Sequence, residues 1–360
     1  EISVPLITSE ALFCSRMVKA VRVMFNLLKS DIYRLVHGKM LWVSLALTAL
    51  FVVGAAGLVW FATTPQFAQM VAEQAEHDQQ NATASDYRQD DMSLSAAETT
   101  AEGTTEPTPE ATAGMAVRFT DGSGANLTPE EVETLNEKEL PSRTNAYAQV
   151  LVAGGVLAMI VSLVTAIFLA SDFETGFAKN VFVGRGRRRA AYYLEKLVLC
   201  GVLSAAFLLV GMVFTDGSFA IAGFEYRASE ALGEYWGWVA LAWLAVTMYA
   251  MATGAMVLLT RSKAVGIVFA LVVATGALAS IAMTVASTFA PAFPVLDDAV
   301  KWLPTSSVAL LSSGGVGLLS STEGAALAGL AVPAQVALVL GAAIAVCVAL
   351  AAAVGPRKDV

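Results

Sequence analysis

Three cysteines, Cys14, Cys200 and Cys347, and two histidines, His37 and His77, are the chain's soft metal ligands and neutral-pH acid–base groups. An odd, scattered cysteine set gives neither a disulfide framework nor metal-ligand spacing. With so few histidines, H-E-x-x-H does not occur. The phosphate-cradling G-x-x-x-x-G-K-[ST] is missing too, because Gly184-Arg-Gly186-Arg lacks its spacing. No catalytic, cofactor-binding or metal-binding residue is therefore assigned, and the chain is not expected to be an enzyme. The adjacent charges Glu195 and Lys196 open an apolar run and read as reaching the membrane interface. No apolar run carries an ionisable residue near its centre, the usual mark of an ion or proton relay. That disfavours a proton- or sodium-coupled carrier, and the energy for any pumping must come from another chain.

The surrounding composition sets what must position these residues. The chain has 360 residues, 56% hydrophobic and 14% charged, against roughly 25% charged in soluble domains; its mean hydropathy is +0.65. Lipid is the expected solvent for most of it. A spanning helix needs about 20 mostly apolar residues, and six runs qualify: 40–61, 146–170, 192–214, 236–259, 264–289 and 333–354. The expected class is all-α, a polytopic bundle of six transmembrane helices. Lys and Arg collect in segments 1–39, 171–191 and 355–360 and at Arg261 and Lys263, while the alternate connections are acidic. Basic loops mark the cytoplasmic side, which predicts a multi-pass plasma-membrane protein with both termini inside. Trp42, Trp60, Trp236, Trp238 and Trp302 fall near the expected interfaces, as an aromatic belt would place them. The small-residue runs Gly54-Ala-Ala-Gly57, Gly154-Gly155 and around Gly341 read as close helix packing.

Outside the spans, segment 62–145 is a large acidic loop with sixteen Asp or Glu against four Lys or Arg. Its Ala/Thr/Glu/Pro-rich middle reads as partly disordered, with one capped helix expected around Thr128 and Glu131. Segment 290–332 holds apolar pieces too short to span and too greasy for an open loop, so a re-entrant or interfacial segment is expected, broken at Ser312–Gly317. Near the start, Phe25, Leu28, Ile32 and Leu35 fall on one side of a helix with Lys29 and Arg34 opposite. This predicts an amphipathic interfacial helix on the bilayer surface, a protein neighbour being an equal partner for it. No secretory signal pattern appears in residues 1–23, which receive no function; Met24-Phe-Asn-Leu-Leu-Lys reads as the more usual opening.

The connection after the second run is the most informative. Phe173, Phe177, Val181 and Phe182 line one side of a helical piece, with Lys179 and Asn180 turned away, before Gly184 and Gly186 break it. The positive-inside rule explains the arginines that follow but not exposed phenylalanines, which read as a docking face. Three features together resemble the permease subunits of ABC-2-type transporters. They are the opening Met24-Phe-Asn-Leu-Leu-Lys-Ser-Asp-Ile-Tyr-Arg-Leu, the loop Phe173-Glu-Thr-Gly-Phe-Ala-Lys-Asn followed by Gly186-Arg-Arg-Arg and Glu195-Lys196, and the six-span plan with a large first outer loop. The resemblance covers about residues 24–355. It implies a pathway built by two permease copies, or this chain with a paralogue, in the lipid bilayer. It also implies a separate ABC ATPase that holds ATP and Mg, with no cofactor on this chain and no nucleic-acid partner. The ATPase-coupling residues it implies are Phe173, Glu174, Gly176, Phe177, Lys179, Asn180 and Phe182. The competing reading is a membrane-embedded sensor or immunity protein whose acidic outer loop binds a cationic ligand.

Overall fold

The computed structural model describes residues 25–62, 139–140, 142–180, 189–226, 230–289, 300, 302–314, 319 and 331–354. It is helical throughout, apart from a two-residue parallel pairing of β1 (Glu139–Leu140) with β2 (Glu225–Tyr226). In chain order the helices are α1 (25–37), α2 (Lys39–Ala62), α3 (Arg143–Tyr147), α4 (Val156–Glu174), α5 (Arg189–Ala222) and α6 (Leu232–Thr260). After them come α7 (Lys263–Ala274), α8 (Ala277–Phe289), α9 (Pro304–Gly314) and α10 (Val332–Val354).

Among the described residues, five helical stretches are long and apolar enough to cross a membrane: Lys39–Leu58, Arg143–Glu174, Ala191–Ala222, Leu232–Thr260 and Val332–Ala353. They answer to five of the six expected spans. The remaining run, 264–289, differs from the single helix expected of it. It is two pieces, α7 of 12 residues and α8 of 13, parted at Thr275–Gly276. Gly276 takes φ +72°, the left-handed conformation that ends helices and that glycine adopts without a Cβ penalty. The Thr275 hydroxyl donates to the Leu271 carbonyl at 2.7 Å, which satisfies one carbonyl of the last turn. Apolar composition alone carries no sign of this break.

At the core, α4 packs against α6 and α7, α5 against α2 and α6, and α10 against α6. The α4–α7 seam depends on small residues. Gly266, Ala270 and Ala274 are buried on one face of α7, and a Cβ on Gly266 would lie 3.3 Å from Ala166 Cβ and 2.3 Å from a Val257 methyl. Close backbone approach of this kind is how helices associate where lipid removes the hydrophobic drive between them. The other glycines read as packing residues behave differently: Gly54, Gly57 and Gly341 have open space where a side chain would project. Trp42, Trp60 and Trp236 are exposed, as a belt requires, whereas Trp238 is fully buried, 6.4 Å ring to ring from Tyr147. Trp238 is thus a core residue rather than an interface anchor, because it faces the other helices and not the surface of the bundle.

α9 occupies part of the expected re-entrant segment. It lies against α10 and against the turn at Ala148–Val152, with Ser307 and Leu311 buried. The helix runs through Ser312 to Gly314, into the stretch expected to break it. Residues 63–138 of the acidic loop, its capped helix among them, and Gly315–Gly317 lie outside the described residues.

Candidate functional site: a buried ionic cluster

Five charged side chains meet where α1, the end of α4 and the start of α5 converge. α1 brings Asp31 and Arg34, one helical turn apart. α4 brings Asp172 in its last turn. α5 brings Glu195 and Lys196 in its second turn. Asp31, Asp172, Glu195 and Lys196 are each no more than 1% exposed.

Lys196 is the hub. Its Nζ lies 2.6 Å from Asp172 Oδ2 and also pairs with Asp31 Oδ2. Arg34 Nη1 donates to Asp172 Oδ1 at 2.8 Å and sits 3.5 Å from Asp31 Oδ1. Each aspartate is therefore shared between two cations. Tyr192, one turn before Lys196, donates its hydroxyl to Asp172 Oδ2 at 3.0 Å. Aromatic rings enclose the cations: Arg34 lies 4.5 Å from the Phe177 ring centre, and Lys196 lies 5.5 Å from Phe168 and 5.1 Å from Tyr192. Ring faces attract cations most strongly where water is excluded.

One helix dipole opposes this arrangement. Asp172 stands in the last turn of α4, where the dipole disfavours a negative charge, while Lys196 lies beyond the first turn of α5, where the dipole has faded. The ion pairs must offset that cost as well as desolvation, which for buried ions amounts to several kcal/mol each. Glu195 is the odd member. Its oxygens meet no hydrogen-bond donor and stand beside Asp31, another acceptor. Its nearest cation is Lys196, at 4.0 Å.

The expectation that Glu195 and Lys196 reach the interface is overturned. Both point into the junction, because α1 covers the start of α5 and supplies the partner charge. The α1 residues divide by face. Leu35 and Asp31 are buried and Leu28 is half-buried, while Phe25 is 67% exposed and Ile32 38%. Arg34, placed opposite the apolar face from sequence, turns to the protein. α1 thus has a protein face along Leu28–Asp31–Leu35 and a separate apolar stripe, Phe25–Ile32–Val36, that is exposed among the described residues. Its end is fastened by the Trp42 indole, which donates to the Val36 carbonyl at 2.9 Å.

The expected coupling residues are brought to the same place. A turn at Thr175–Gly176, with Gly176 at φ +72°, redirects the chain into a helical piece beginning at Phe177. Phe173 and Phe177 are half-buried, not exposed: Phe177 lies under Arg34 and Phe173 packs on the core and near Arg261. What the segment presents outward is Glu174, Lys179 and Asn180. Phe182 lies outside the described residues. Sequence reading missed Asp31, Asp172, Tyr192 and the inward role of Arg34. The available signal was an aspartate inside an apolar helical face at position 31, together with an acid–base pair one turn inside an apolar run.

The opposite end of the bundle is polar in another way. Tyr147 and Tyr226 both donate to Asp216, at 2.7 and 3.0 Å, and Thr144 binds Glu230 through its amide at 3.0 Å and through its hydroxyl. Burial and the Asp216 carboxylate push the Tyr226 phenol well above its ordinary range, so it stays a donor. Among the described residues no group of His, Cys, Asp and Glu could hold a metal ion. Compared with family models, curated proteins and solved structures, the chain matches none of them.

Proposed function

We propose that this chain is the membrane-spanning permease subunit of an ATP-driven exporter of the ABC-2 type. In this reading it sits in the plasma membrane with the α1 end toward the cytoplasm, and the split run 263–289 counts as a sixth pass. Two permease subunits line the pathway, and a separate ATPase supplies ATP and Mg chemistry. The observation that carries the proposal is the ionic cluster. It ties α1 and the segment 171–180 to the ends of two membrane-length helices through a single lysine. A push on Glu174–Asn180 from below would reach α4 and α5 through Asp172 and Lys196, and would reach α1 through Asp31. A junction that transmits force needs such stiffness, and buried ion pairs break only at high cost.

The half-burial of Phe173 and Phe177 changes the docking surface. The phenylalanines hold the segment onto the cluster, and Glu174, Lys179 and Asn180 meet the ATPase. Purification of the full chain from its native membrane is expected to bring along a chain bearing a P-loop. Glu174→Lys with Lys179→Glu is expected to lose that chain while membrane insertion is unchanged. Purification of the unaltered chain without any P-loop partner would overturn the proposal.

A further inference from the structure

Two helix interruptions occur at one level of the bundle and touch. The first lies within the stretch 143–174. After α3 the backbone makes a wide turn at Ala148–Val152, then a tight one at Ala153–Gly155, before α4 resumes. Ala153 is extended at ψ 138°, and Gly154 and Gly155 are both left-handed, at φ +74° and +67°. The second interruption is Thr275–Gly276, between α7 and α8. A Cβ added to Gly155 would stand 2.3 Å from the Ala274 carbonyl oxygen, so that position admits only glycine, and the end of α7 rests on the break in the neighbouring helix.

In a bilayer a broken helix is tolerated where protein, not lipid, surrounds the freed backbone groups. Two breaks set against each other meet that condition jointly. On one side of this level α4 and α7 are in close contact through Gly266 and Ala166. On the other side they part. The stretch Ala146–Val152 is packed under α9, whereas α8 leaves Ile281, Met283, Val285 and Phe289 uncovered.

We infer that Gly154–Gly155 and Thr275–Gly276 form one shared hinge, about which α8 swings relative to the half of the bundle that holds the ionic cluster. Gly154 and Gly276 have open space around them, so an alanine there tests backbone freedom with little steric change. Of these glycines, Gly155 is the one seated against the neighbouring break, at the Ala274 carbonyl. The inference is independent of the ATPase reading, since it concerns motion of this chain alone.

Spin labels in the full chain reconstituted in lipid nanodiscs test it, with Cys14 and Cys347 changed to serine. One pair, Val43→Cys with Ile281→Cys, crosses the hinge; the other, Val43→Cys with Val268→Cys, stays on one side. The expected result is two distance populations across the hinge and one in the control. Gly276→Ala and Gly154→Ala are each expected to change the ratio of the two populations at least threefold. A single narrow distance across the hinge, as in the control, would overturn the inference. So would a response to Gly276→Ala with none to Gly154→Ala, because the breaks would then act separately.

Discussion

Each end of the bundle holds a carboxylate beside aromatic rings, fully buried at one end and half-buried at the other, and the partners differ in kind. At the α1 end, Asp172 is held by two cations, Arg34 and Lys196, and by one phenol, Tyr192. At the α3 end, Asp216 is held by two phenols, Tyr147 and Tyr226. Loss of one phenol leaves Asp216 with the other. Loss of the central ammonium leaves the two buried charges of Asp31 and Asp172 with a single, part-exposed arginine as their cation, Asp172 keeping the Tyr192 phenol besides. The first junction is therefore stiff and intolerant, the second graded. A stiff joint suits an end that receives a push, and a graded one suits an end that must rearrange.

The largest break in that comparison is Lys196→Met. Removing one member of a buried ion pair is expected to cost about 3–5 kcal/mol, seen as earlier labelling of the buried Cys200 thiol by a reactive dye on heating. Adding Asp31→Asn and Asp172→Asn to that variant is expected to recover part of the loss, since the uncompensated charges go with the cation; no recovery would show that packing dominates. Next comes Tyr147→Phe, which removes a charge-assisted hydrogen bond worth about 1.5–3 kcal/mol. Tyr226→Phe, at the half-buried partner, is expected to cost under about 1 kcal/mol by the same readout. Glu195→Gln has the smallest expected effect, near zero, because it relieves the repulsion between two adjacent acceptors and gives up only the longest of the carboxylate contacts to Lys196, at 4.0 Å. A large loss in Glu195→Gln would show that this carboxylate is an essential member of the cluster.

The spans were legible in sequence because continuous apolar runs of about 20 residues are a strong signal. The break at Gly276 was not, because a lone glycine in such a run looks the same whether it packs or turns. Gly154-Gly155 shows the same ambiguity, read as packing and found to be left-handed. The apolar face expected of the N-terminal helix divides in the structure, with Leu28 and Leu35 inward and Phe25 and Ile32 outward, and the role of Asp31 between them is not legible from its type alone. Its meaning depends on Lys196, 165 residues away, and a single sequence does not reveal that pairing. Phe173 and Phe177 were found as unusual in a basic loop. Their burial could not be read without Arg34 in place above them.

In the proposed exporter, the outward face of segment 174–180 receives the ATPase while the cluster beneath it carries the force. A photo-crosslinking residue placed at Lys179 in the full chain, irradiated in native membranes, tests this most directly. The expected product is an adduct with a P-loop ATPase at Lys179 and none from the same group at Ile281. An adduct confined to lipid at Lys179, or an ATPase adduct at Ile281 alone, would contradict it.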